Sequence, residues 1–264
     1  MRDSSPALPP PSLPPLSAGV TGTGPALLLA HGATGSIEDN FAPVLPALAA
    51  AHTVVAPDYP GSGTTPVADA PWDLDALTDA VVDSAVRRGV ERFAVLGFSL
   101  GTQVAVRATV RHPGRVTALV LTAGFARPDG HLLGLLPGWR AEEPPALRPH
   151  IDLIPFLDVT ADLAEVAVPT LVVATTADRL VLPEGSRALA AGIRGARYTE
   201  IDSDHVVMVE RPDEWLTEVL GFLRSLPPSP SSAGEDGEAG HAREDREDRE
   251  DREDGEDWKG GEGA

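Results

Sequence analysis

Six short strand-like runs, spaced along the middle of the chain and separated by helix-like stretches, limit the possible folds more than any other feature of this sequence. They are Ala26–Ala30 (ALLLA), 53–56 (TVVA), 93–96 (FAVL), 118–122 (ALVLT), 170–174 (TLVVA) and Arg197–Ile201 (RYTEI). Several are apolar throughout instead of alternating, the mark of parallel strands covered by helices on both faces. Helical patterns fill the intervals, notably 74–88, 102–112, 184–192 and 214–225. Strand and helix alternating in this way predict an α/β fold, a doubly wound and mostly parallel sheet.

The flanks read differently. Residues 1–22 are rich in proline and are expected to be extended or disordered. Residues 227–264 hold Arg-Glu-Asp four times running, from 243 to 254, with no apolar face beside it, and are expected to form a solvated disordered tail. The folded domain is therefore expected over 23–226, and with 42% hydrophobic residues in the 264-residue chain it can bury one substantial core. The tail carries −9 of the formal charge of −19, so the domain is moderately acidic. That sign argues against a nucleic-acid surface, which needs a basic face. No cysteine is present, which removes disulfides, thiolate nucleophiles and cysteine metal sites. The sequence offers no membrane-spanning run, and the prolines near the N-terminus would break a secretory signal. The expectation is a cytoplasmic protein without metal, cofactor or membrane partner.

In doubly wound sheets, reactive groups lie on loops that leave the carboxyl ends of the strands. Three candidates sit there: Ser99 after the 93–96 run, Asp178 after 170–174 and His205 after Arg197–Ile201. Ser99 lies in VLGFSLGTQ, between Gly97 and Gly101. A strand that turns sharply into a helix, with a serine strained at its apex, leaves no room for Cβ atoms two residues to either side. Such a turn lifts the hydroxyl clear of the backbone and aims the start of the next helix at the site.

Taken with His31-Gly32-Ala33-Thr34-Gly35 after a strand, with Asp58-Tyr59-Pro60-Gly61-Ser62-Gly63, and with the late Asp178 and His205, this motif resembles the α/β-hydrolase superfamily over about residues 24–226. The order Ser, Asp, His is that family's order. The resemblance implies a serine nucleophile activated by His205, whose imidazole Asp178 would orient and stabilise. Asp152 and Asp158 are rival acids, and Asp202 and Asp204 flank the histidine closely. The backbone N–H groups of Leu100 and, by resemblance, Ala33 would receive an oxyanion. Asp58 reads as a turn residue. His131 and His150 read as surface positions, although both are in reach of a substrate.

The segment from about 124 to 168 is expected to be a short lid insertion. Phe98, Phe125, Leu136, Trp139, Phe156 and Leu180 either line a substrate pocket or pack the core. The family's opening strand hairpin is hard to find in the proline-rich start, so fewer strands than the family standard are expected. Three functions follow: hydrolysis of an ester, thioester or lactone carrying an apolar acyl part, through an acyl-enzyme; carbon–carbon cleavage, cyclisation or elimination on the same triad; or non-catalytic binding of a small molecule on a hydrolase scaffold.

Overall fold

The computed structural model describes residues 13–227. The acidic repeat expected to be a disordered tail lies outside them, as does most of the proline-rich start. In chain order the strands are β1 (Ala18–Thr21), β2 (Ala26–Ala30), β3 (Thr53–Pro57), β4 (Phe93–Phe98), β5 (Val116–Thr122), β6 (Thr170–Thr175) and β7 (Arg197–Ile201). They form one sheet in the order β1-β3-β2-β4-β5-β6-β7. β1 runs antiparallel to β3, and the other neighbouring pairs are parallel.

The six expected strands are all present. A seventh, β1, corrects the boundary placed at residue 22. It is a four-residue edge strand, AGVT, that is largely exposed, so neither length nor an apolar run announced it. Its ladder with β3 supplies the evidence that local sequence lacked, pairing Ala18 with Pro57 and Thr21 with Val54.

Helices cover both faces. α1 (Ile37–Phe41), α2 (Leu45–Ala49), α8 (Val207–Glu210) and α9 (Pro212–Arg224) flank one core, and α3 (Leu74–Val86), α4 (Leu100–Arg111) and α7 (Pro183–Gly192) the other. Alternation along the strands explains the division. Leu28, Val95, Leu119 and Val172 face one core, while Leu27, Leu29, Leu96, Val120 and Val173 face the other. Both sets are apolar, which is why the runs show no period of two. Between β5 and β6 the chain forms α5 (Gly130–Glu142), α6 (Arg148–Leu153) and two short 3-10 turns.

The chain runs outward from β2 to β3, then returns to place β4 on the other side of β2. That reversal opens a crevice at the carboxyl ends of β2 and β4. Ala30 pairs with Gly97 across it, so the loops beginning at His31 and at Ser99 leave the sheet side by side.

Candidate active site

The turn between β4 and α4 has the strain that its glycines suggested. Ser99 adopts φ 52° and ψ −119°, a region that residues with a Cβ seldom occupy. Its N–H donates to the Thr122 carbonyl (3.0 Å), and its carbonyl accepts the Thr102 N–H (2.9 Å) and hydroxyl (2.7 Å). A Cβ on Gly97 would overlap the Gly101 carbonyl, and one on Gly101 would overlap the Ala30 carbonyl of β2. The glycines allow strand, turn and helix to stack at this distance, and the crowding leaves the Ser99 side chain on the crevice side.

His205 and Asp178 reach the same place from the ends of β7 and β6. His205 Nε2 lies 3.0 Å from Ser99 Oγ, and its Nδ1 lies 2.6 Å from Asp178 Oδ2. The Asp178 carboxylate is buried and fully engaged. Oδ2 also accepts the Thr175 hydroxyl (2.9 Å), while Oδ1 accepts the N–H groups of Leu180 and Val181 (both 2.9 Å). Burial works to raise its pKa, but the hydrogen bond and charge of His205, with the two N–H donors, outweigh it and hold the carboxyl below its ordinary value. A carboxylate at Nδ1 fixes the neutral ring with its proton on Nδ1, leaving Nε2 to accept from the serine. The loop carrying His205 is itself tied down: its N–H donates to Asp204 Oδ1 (2.8 Å), and the Asp204 N–H donates to Glu210 (3.0 Å).

The rival acids lie elsewhere. Asp152 pairs with Arg140 on the surface of the insertion, and Asp158 accepts the Thr160 N–H. Asp202 takes the Thr176 hydroxyl at 3.3 Å. Asp58 serves structure, accepting the Ile37 N–H at 2.8 Å, and its carboxylate fills the space a Cβ on Gly63 would need.

The loop after β2 is anchored at every residue except one. Tyr59 N–H donates to His31 Nε2 (2.9 Å), Gly32 N–H to Asn40 Oδ1 (2.9 Å), Thr34 N–H to His150 Nδ1 (3.1 Å), and the Ser62 hydroxyl to the Gly35 carbonyl (2.6 Å). Among the described residues, nothing accepts the Ala33 N–H. Leu100 is the first residue of α4, where an N–H has no acceptor within the helix. His31 is buried, and burial with neighbouring His150 pushes its pKa down to about 3 against the Gly32 carbonyl, so it is a neutral strut.

The expected wall residues divide. Phe98 is buried beneath the site, its ring 4.9 Å from that of His205 and against Gly32. Leu180 borders the site through its N–H bond to Asp178. Phe125 and Leu136 are buried in the core, and Trp139, partly buried, donates its indole N–H to Glu143. Phe156 is 82% exposed, which corrects its placement on a pocket wall; the 3-10 turn at Ile154–Phe156 buries Ile154 instead. A groove of about 800 Å³ between the loop after β5 and α7 includes Phe125 and Val181 in its walls but neither Ser99 nor His205. His150, read as a surface position, is completely buried. Among the described residues no cluster of three or more His, Asp or Glu side chains is arranged to hold a metal. No helix there is long and apolar enough to cross a membrane.

Comparison with known proteins agrees with this architecture. The family model for the alpha/beta hydrolase fold matches residues 25–150, which include β2, the Ser99 turn and the start of the insertion. The chain is 28% identical to pyrrolizixenacetamide deacetylase of Xenorhabdus hominickii over 78% of its own length and 93% of that protein. It is 40% identical to the pimeloyl-[acyl-carrier protein] methyl ester esterase of Neisseria meningitidis over a shorter region, 38% of this chain and 36% of the esterase. The enol-lactonase of Burkholderia xenovorans LB400 superposes with a TM-score of 0.69 at 23% identity, over 79% of this chain and 96% of that one, which speaks for the fold. The seven-stranded sheet, its crevice and these likenesses together show that the chain has the α/β-hydrolase fold.

Proposed function

We propose that this protein is a serine hydrolase that cleaves a carboxylic ester, thioester or lactone through an acyl-enzyme. The observation that carries the reading is the unbroken relay from Ser99 Oγ through the His205 ring to the buried Asp178 carboxylate. A serine hydroxyl is a weak nucleophile at neutral pH. As Oγ attacks the acyl carbon, His205 Nε2 takes its proton, and Asp178 stabilises the imidazolium that results. The charge developing on the carbonyl oxygen is received by the N–H groups of Ala33 and Leu100, each such donor being worth about 3–4 kcal/mol. Collapse expels the alkoxide or thiolate, which takes the proton from His205. Water, activated by the same ring, then releases the acid.

The relatives support acyl transfer over the carbon–carbon cleavage and binding alternatives, since one is named a deacetylase and another an esterase. The first of these makes acetyl and other short acyl groups, on oxygen or nitrogen, the opening arm of a substrate panel running to longer apolar acyl chains. The test combines a fluorophosphonate probe, with the labelled residue identified by mass spectrometry, and hydrolysis of activated esters. Ser99 is expected to be the labelled residue, and Ser99→Ala should lose at least about 10⁴-fold in kcat while remaining folded. Near-wild-type turnover by Ser99→Ala would overturn the proposal.

A further inference from the structure

His150 belongs to α6 in the insertion, yet its side chain sits beneath the loop that follows β2 and is completely buried. The ring makes two bonds of opposite kind. Nδ1 accepts the Thr34 N–H at 3.1 Å, and Nε2 donates to the Pro60 carbonyl at 2.8 Å. Only a neutral ring with its proton on Nε2 makes both bonds. Its orientation is enclosed by aromatic neighbours: Trp72 edge-on at 5.6 Å, Tyr59 at 6.0 Å and His31 at 6.3 Å between centroids.

The backbone that His150 holds is itself unusual. Thr34 has φ 58°, a left-handed conformation in which a β-branched residue is strained. Strain of this kind persists only where surrounding contacts over-determine it. Here the contact comes from the insertion, 116 residues away in sequence. The N–H held by His150 belongs to the peptide unit immediately after Ala33. Fixing that unit at Thr34, and the preceding residue through Gly32 and Asn40, aims the one unengaged N–H between them.

We propose that His150 is a positioning residue: by accepting the Thr34 N–H it fixes the Ala33 N–H for the oxyanion and couples the seating of the insertion to transition-state stabilisation. The inference rests on the reading of Ser99 as an acylated nucleophile. It requires an effect on turnover more than on substrate binding, because an oxyanion donor acts most strongly on charge that develops in the transition state.

Two variants separate the bonds. In His150→Asn the side-chain oxygen can replace Nδ1 and keep the Thr34 bond. In His150→Gln the amide nitrogen can replace Nε2 and keep only the Pro60 bond. With an activated ester, His150→Gln should lose at least about tenfold in kcat with KM within about twofold, and weaken inhibition by a trifluoromethyl ketone, whose adduct with Ser99 carries an oxyanion, by a similar factor. His150→Asn should retain most of both, at a melting temperature no higher than that of His150→Gln. Equal losses in the two variants, or a loss confined to KM or stability, would overturn the inference while leaving the hydrolase reading standing. Wild-type protein that neither turns over nor labels at Ser99 would overturn both. Should neither variant fold, ¹⁵N NMR of the wild-type His150 ring decides: a neutral ring protonated on Nε2 at pH 7 supports the role, and a ring protonated on Nδ1 ends it.

Discussion

Asp178 occupies a position where a single proton decides what the neighbouring ring can do. Its Oδ2 takes the Nδ1–H of His205, and its other bonds, from Thr175, Leu180 and Val181, leave the carboxylate no freedom to turn away. Asparagine would fit this space but present an N–H donor or a weak amide oxygen to Nδ1, favouring the wrong tautomer and removing the charge that supports the imidazolium. Asp178→Asn is therefore expected to stay folded and to lose about 10³–10⁴-fold in kcat. Asp152→Asn and Asp158→Asn, whose carboxylates engage Arg140 and the Thr160 N–H, should change kcat less than about twofold. Steady-state kinetics of the three variants on one activated ester checks this, and a severe loss in either of the last two with a mild one in Asp178→Asn would move the acid into the insertion. Ser99, Asp178 and His205 were legible in the sequence because each follows a strand in a readable order. His150 was not. Its short helix carries Arg148, Pro149 and Asp152, and its two partners lie in loops distant in sequence, so its burial is a property of the tertiary arrangement alone.

At the level of elements, α4 is pressed against β2 so closely that one hydrogen atom sets the limit. A Cβ on Gly101 would meet backbone, the Ala30 carbonyl, which cannot swing aside as a flexible side chain would. Gly101→Ala must push α4 off the sheet or displace the Ser99 turn, and overpacking of this kind costs about 1–3 kcal/mol or more. Gly134→Ala is the contrasting case. Gly134 is exposed within α5, with nothing within 4 Å of the added carbon, and alanine there should stabilise the helix by about 0.5–1 kcal/mol. Thermal unfolding should show opposite shifts: a fall of several degrees for Gly101→Ala and a smaller rise for Gly134→Ala. A neutral Gly101→Ala would mean that the close approach is not structural. Strand runs such as ALLLA and TLVVA could be read because sheets buried on both faces demand continuous apolar residues. The insertion was harder to read. Pro137 lies inside α5, and only Leu132 and Leu136 of that helix are buried, so its pattern is weak. Phe156 shows the converse, an aromatic residue whose chemistry suggested a pocket wall and whose position is in solvent.

Across the whole molecule, the buried neutral histidines make acid a specific threat to the fold. Burial lowers the pKa of His31, with His150 acting in the same direction against the Gly32 carbonyl, and burial lowers that of His150 against the Pro60 carbonyl and Glu143. Unfolding frees both rings to take up protons near pH 6.5. The stability gained by keeping them neutral is thus fully present above that pH and is lost as pH falls, for His31 by about 1.4 kcal/mol per pH unit once the unfolded ring is charged. For His31 the loss continues down to about pH 3. Asp58 and Asp162 act in the opposite sense, because burial raises their carboxyl pKa values and folding then favours their protonated forms. The stability they contribute is fully present below the ordinary carboxylate pKa and is lost as pH rises through their raised values. The formal charge of −19 adds a background of its own, since acid relieves self-repulsion and favours the compact state. Comparing the wild type with His31→Gln removes that background, which both proteins share. Urea midpoints at pH 7, 6 and 5 should fall steadily for the wild type. His31→Gln should start lower at pH 7, having lost its bond from Tyr59, yet fall less steeply, because one proton fewer is taken up on unfolding. Parallel slopes for the two proteins would show that His31 is not the group whose burial couples folding to pH.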